Sequence, residues 1–204
     1  MPMLRIWGRT NSINVQKVMW AVGELGLAHE RIDAGMAFGV VDTPEYRAMN
    51  PNGRVPTIDY DGFILWESNV IVRYLYARHG PVRTLEEGYG AEKWMDWCAT
   101  TVAAPVTTLF WGWIRTPPER RDRAALDAAL KQAGDIFDIA DANLAETRYI
   151  AGDEFSIGDI PLGCFVHRWL SLPVERPAQP NLAEYYQRLL ERAPYRQHVA
   201  LPLS

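Results

Sequence analysis

Apolar and polar residues along this chain follow two different periods, and the change falls near residue 84. Leu4 and Ile6 alternate with Arg5, which predicts a short strand over residues 3–7, and residues 8–12 supply turn and helix-capping side chains. Val15, Val18, Met19, Val22 and Leu25 then recur at three- and four-residue steps, so a helix follows, with Gly26 where a left-handed C-terminal cap belongs. A second strand over 29–34, around Ile32, completes a βαβ start. Residues 35–52 keep no period, apart from one short helix over 43–49 with Pro44 in its first turn. Strands over 55–60 and 63–66 are joined by Asp61-Gly62, a two-residue hairpin pair. Val70, Ile71, Tyr74 and Leu75 define a helix that starts at Ser68 and stops at Gly80-Pro81.

Beyond residue 84 every periodic stretch is helical: 94–115, 123–144, 159–170 and 182–192. At about 150 residues per domain, 204 residues allow one domain or two. The change of period over 81–86 selects two, an α/β domain over 1–80 and an all-α domain over 87–204. Ser156-Ile157-Gly158-Asp159, just before the third of these helices, reads as a capping box that fixes its start.

Composition narrows the function. Hydrophobic residues make up 48% and charged residues 23%, which supports a packed globular chain rather than a disordered one. Lys plus Arg is 21 against 25 Asp plus Glu, a net charge of −4, which argues against nucleic acid as a partner. The basic run Arg115, Arg120, Arg121 and Arg123 is broken by Glu119 and Asp122 and reads as a solvated loop. Residues 97–114 carry no charge, but four threonines, Pro105 and Gly112 make them a buried helix rather than a membrane span. Cys98 and Cys164 read as buried thiols of a reducing compartment, and the arginines at 5 and 9 with no apolar block after them give no secretory signal, so the expected location is the cytoplasm. GxGxxG, GxxxxGK, GxSxG and HExxH do not occur, and the four histidines are scattered, so no metal site is expected.

The chemistry-bearing stretches are Asn50-Pro51-Asn52-Gly53-Arg54-Val55-Pro56-Thr57-Ile58 and Leu65-Trp66-Glu67-Ser68-Asn69-Val70-Ile71. Together with the βαβ-α-ββα order, they resemble the thioredoxin-like amino-terminal domain of the cytosolic glutathione transferase family, in its bacterial, serine/asparagine-type or theta-like branch. The later half is similar to that family's helical domain, so the resemblance covers the whole chain.

The resemblance implies a cis peptide before Pro56. Proline cannot donate to a ladder, and a cis bond would turn the N–H and C=O of Val55 toward an extended peptide; a trans proline at a strand edge is the alternative from the residues alone. It implies that Ser68 and its N–H take the α-carboxylate of glutathione, that Glu67 takes the α-ammonium, and that Arg54 pairs with the glycyl carboxylate. Simple N-capping is the alternative for Ser68, and both roles are expected at once because a cap and an anion site use the same donors; a surface arginine is the alternative for Arg54. Ser12 and Asn14 resemble the catalytic Ser-x-Asn pattern, in which Ser12 donates to the thiolate and Asn14 orients it or shares the role; both residue types are also common helix caps. No cysteine precedes residue 98, so a disulfide between protein and glutathione is not expected. Trp111, Trp113 and Arg115 would line the electrophile pocket, against the alternative that most of the eight tryptophans are core.

The activity implied is a glutathione transferase of detoxification type, with glutathione as co-substrate, a hydrophobic electrophile as second substrate, and a homodimer as the assembled form. A glutathione-dependent disulfide reductase and a non-catalytic interaction module on the same fold are the alternatives.

Overall fold

The computed structural model describes residues 3–204. Contact density separates them into two units, one running to Val82 and taking in Gln197–Val199, the other covering Arg83–Arg196 and Ala200–Ser204.

The first unit contains β1 (Leu4–Trp7), α1 (Ile13–Glu24), β2 (His29–Ile32), α2 (Pro44–Met49), β3 (Thr57–Tyr60), β4 (Phe63–Trp66) and α3 (Ser68–His79). Its sheet has the order β2-β1-β3-β4. β1 and β2 run parallel, from Leu4 opposite His29 to Trp7 opposite Ile32, while β3 is antiparallel to both β1 and β4. Alternation puts Leu4 and Ile6 on one face, with Ile58 and Tyr60 beside them. Val15, Val18, Met19 and Val22 from α1 and Ile71 and Leu75 from α3 complete that core.

Local chemistry fixes the joints. A Cβ at Gly8 would lie 2.3 Å from Val15 Cγ2, so only glycine lets the chain leave β1 and lay α1 against it. α1 ends as its sequence predicts: Gly26 has φ +62, its N–H donates to Gly23 O, and Leu27 N–H donates to Val22 O. Asp61 and Gly62 both have positive φ, 53° and 87°, which matches the twist of the β3–β4 hairpin. β3 begins at Thr57, two residues later than the pattern predicts, because Pro56 has no N–H for the ladder; the Val55–Pro56 peptide is cis, as the resemblance implies.

The second unit contains α4 (Leu85–Trp97), α5 (Ala103–Phe110), α6 (Arg123–Leu144), α7 (Asp159–Ser171) and α8 (Pro180–Leu190), and α9 (Ala193–His198) closes the series. The single helix expected over 94–115 starts earlier and is not regular. Thr84 and Glu87 cap it reciprocally at Leu85, and π-helical turns occupy Cys98–Val102 and Trp111–Arg115. Pro105 lacks the N–H that a regular helix would use four residues back, and a π turn just before it absorbs the mismatch. Cys98, Val102, Val106 and Leu109 are buried, as expected for a core helix, and no helix of the described residues is long and apolar enough to cross a membrane. α8 starts at Pro180, earlier than its periodicity predicts, because Asp141 of α6 accepts from Leu182 N–H at 2.8 Å and from Asn181 Nδ2 at 3.0 Å. That cap comes from a distant helix and leaves no local signal.

Asp159 organises the start of α7. Its carboxylate accepts from Ile150 N–H, Ser156 N–H, Ser156 Oγ and Tyr185 OH at 2.8–3.0 Å, while Ser156 Oγ accepts from Gly158 N–H at 3.3 Å. Burial pushes this carboxyl above the ordinary carboxylate range, and the donated hydrogen bonds oppose the shift. The expected two-residue box is therefore the visible part of a larger buried knot. Asp159→Ala leaves four buried donor groups without this acceptor and is expected to cost about 2 kcal/mol or more, a fall in Tm of roughly 5 °C by circular dichroism; an unchanged Tm would show that the knot is dispensable.

Candidate active site

Three segments of the first unit converge on one cavity. The first is the turn from β4 into α3. Glu67 caps α3 from φ +73, a conformation that costs a non-glycine residue about 1–3 kcal/mol and persists where the surroundings enforce it. Its carbonyl accepts from Ile71 N–H at 2.9 Å, so the N–H groups of Ser68, Asn69 and Val70 have no carbonyl of their own helix to bond. They form a positive helix end beside the exposed Glu67 carboxylate.

The second segment is the loop into β3, and a buried polar network holds it. Tyr46 OH donates to Arg54 O at 2.7 Å, and Asn50 Nδ2 donates to the same carbonyl at 2.9 Å. Tyr46 and Asn50 both also reach Thr57 Oγ1, at 2.8 and 3.0 Å, and Asn50 Oδ1 accepts from Asn52 N–H. Tyr46, Asn50 and Thr57 are at most 2% exposed, and burial pushes the Tyr46 hydroxyl pKa up while its bond to Thr57 works the other way. With Arg54 and Thr57 fixed on either side, the N–H and C=O of Val55 enter no hydrogen bond among the described residues. They are an open strand edge one residue long.

The third segment is the start of α1. Ser12 is its N-cap residue but makes no side-chain cap bond, so capping does not occupy its hydroxyl. Asn14 Oδ1 accepts from Lys17 Nζ at 3.1 Å and from Ser68 Oγ at 3.3 Å, which ties α1 to α3. Asn14, Arg54, Val55, Pro56, Glu67 and Ser68 line one cavity of about 100 Å³. Asn50, Asn52 and Trp66 complete its wall, and Ser12 is not part of it.

A donor-rich helix end, an unpaired peptide edge and an amide at a second helix tip make a site for an extended peptide with a free carboxylate. Residues 11–78 match the glutathione S-transferase N-terminal domain, and residues 123–188 match its C-terminal domain. Glutathione S-transferase GstB of Escherichia coli K12 is 42% identical over 212 residues, covering 99% of this chain and all of its own. The chain belongs to the glutathione S-transferase family. A theta class glutathione S-transferase from Xanthomonas axonopodis pv. citri, crystallised with glutathione bound, superposes with a TM-score of 0.96 at 46% identity, over 100% of both chains. A glutathione S-transferase-I solved with lactoylglutathione bound shares the fold at 23% identity with a TM-score of 0.88, over 99% of this chain and all of its own.

The residues expected at a transferase's electrophile pocket lie in the second unit, on the π turn that ends the long helix. Trp111 is 48% exposed and Arg115 stacks its guanidinium 4.8 Å from that ring while donating to Ser204 O. Trp113 is held apart from this pair between Arg121 and Arg123, at 4.8 and 5.2 Å. Part of the basic run is thereby accounted for: Arg121 also donates to Trp113 O and Thr116 O, so it braces the helix end.

Asn50, Asn52 and Trp66 went unrecognised as wall residues. The signal for Asn50 is a buried amide inside a loop, which sequence presents only as an Asn-Pro turn. Asn50→Ala removes one of the two donors on Arg54 O and is expected to weaken glutathione binding about tenfold, or ~1.4 kcal/mol, in a calorimetric titration. Equal affinity would mean that Tyr46 alone holds the loop.

Proposed function

We propose that this chain binds reduced glutathione extended across Val55, favours its thiolate form, and directs the sulfur at an electrophilic small molecule. In this reading Ser68 and the α3 N–H groups take the γ-glutamyl carboxylate and Glu67 takes the adjacent ammonium. Val55 pairs with the cysteinyl peptide as one added strand residue, and Arg54 meets the glycyl carboxylate. The sulfur then reaches the tip of α1, where the Ser12 hydroxyl and the Asn14 amide donate to it and the helix end adds positive potential. The convergence of Asn14, Val55 and Ser68 on one cavity carries the reading. Trp111 and Arg115 offer the electrophile an apolar surface with a cationic edge; catalysis itself is positioning and electrostatic stabilisation of sulfur. No protein atom needs to take a proton or form a bond. The assembled form in this reading is a cytoplasmic homodimer.

A second reading, glutathione-dependent disulfide reduction, is favoured by one observation: Asn14, not Ser12, stands in the cavity wall. In that case the attacked atom is sulfur rather than carbon, with the same thiolate. The discriminating experiment compares a chloroaromatic acceptor with a glutathione mixed disulfide under saturating glutathione. The bound thiol is expected to titrate about 1–2 pH units below the ~8.5 of a free thiol, read by thiolate absorbance. Ser12→Ala is expected to move it back by about one unit; an unmoved value in Ser12→Ala leaves thiol activation to Asn14. Failure of the wild type to retain glutathione at all supports the non-catalytic interaction module instead.

A further inference from the structure

We propose that Lys17 is a positioning residue that decides which end of the Asn14 amide meets the glutathione sulfur, an inference that rests on the reading above. Asn14 and Lys17 stand three residues apart on α1, so they share one helix face. Lys17 is a buried lysine, 4% exposed, and its Nζ lies 3.1 Å from the Asn14 side chain.

That contact orients the amide. An ammonium has protons to give and no lone pair to accept with, so the atom it faces is the amide oxygen. Ser68 Oγ donates to the same oxygen from α3 at 3.3 Å. Two donors from two helices hold Oδ1, and the NH2 end has no hydrogen-bond partner among the described residues while its side chain lines the cavity. Without Lys17 only the longer Ser68 bond holds the amide, and the flipped orientation presents oxygen to a thiolate, which repels it. With Lys17 the two N–H donors are aimed in advance, and the hydrogen bonds accepted at oxygen polarise the amide and strengthen them. Ser68 alone is a weaker anchor, because its hydroxyl is also wanted by the incoming carboxylate.

The lysine charge would also favour a nearby thiolate directly, and the two routes separate in a double-mutant cycle. The other charged groups on the cavity wall, Arg54 and Glu67, are the same in every variant. The readouts are the pKa of bound glutathione by thiolate absorbance, and kcat and KM for glutathione. Lys17→Met is expected to raise the bound-thiol pKa by about one unit, the size of one charge-assisted hydrogen bond, and to lower kcat at neutral pH with KM for glutathione changed less than about twofold. Asn14→Ala is expected to do the same, the double variant no more than Asn14→Ala alone, and Lys17→Arg, which keeps a donor of sufficient reach, to restore most of the shift. A wild-type pKa in Lys17→Met, or additive effects in the double variant, overturns the proposal.

Should Lys17→Met fail to fold, the wild type still decides. The Asn14 side-chain amide protons, assigned by their loss in Asn14→Ala, are expected to shift in NMR spectra on saturation with glutathione but not with S-methylglutathione to the same extent. Amide resonances indifferent to the thiol overturn the proposal. A wild type that binds glutathione with an unperturbed thiol ends this inference but leaves binding intact, whereas one that takes up no glutathione ends both.

Discussion

The carbonyl of Arg54, held by two buried donors, is the contact on which the site depends. Tyr46 and Asn50 pin that carbonyl, and the network continues to Thr57, the first residue of β3. Between these fixed points Val55 cannot join the ladder, so its peptide groups remain available to a ligand. An unpaired peptide group inside a folded chain is costly to maintain, and here the surrounding side chains supply the constraint. The same logic holds at Glu67, where a positive φ turns the chain so that α3 begins at the wall of the same cavity.

These two constraints are why the proposed recognition of glutathione rests so heavily on backbone. The thioredoxin-like sheet brings the loop before β3, the N-terminus of α3 and the N-terminus of α1 to one end of the first unit. Each offers groups of a different kind: free peptide groups, a positive helix end, and polar side chains that the proposed reading assigns to sulfur. In the proposed reading, catalysis rests on donors that are in place before the thiolate forms. The hydrogen bond between Ser68 and Asn14 joins the starts of α3 and α1, which in the proposed reading makes the sulfur end and the carboxylate end parts of one arrangement.

Much of this was legible in the chain because the signals were local. The alternation around Leu4, the spacing of Val15 to Leu25, Gly26 and Asp61-Gly62 each describe a structure within a few residues of themselves, and each appears where its pattern places it. α6 runs from Arg123 to Leu144, the full length of its periodic stretch. Signals that act at a distance were not legible. Asp141 starts α8 from another helix, and Asp159 joins Ile150 and Tyr185 as well as its own cap. The start of α4 was missed because its first turns expose Leu85 and Tyr89 and carry two glycines, which weakens the periodicity although the cap residues are present.

At the site, residue type pointed to Ser68, Glu67 and the Val55–Pro56 peptide through their motif, but the motif could not reveal what fixes them. Asn50 is a polar residue that sequence reads as a turn, and Lys17 one to which sequence gives no role; burial and hydrogen bonds mark them as supports. The measurement that bears most directly on the whole account is a crystal structure of this chain with reduced glutathione. The account predicts the γ-glutamyl carboxylate at Ser68 and the start of α3, two hydrogen bonds between the cysteinyl peptide and Val55, and sulfur beside the tip of α1. Glutathione bound elsewhere, or bound there with Val55 unpaired to it, would contradict the account.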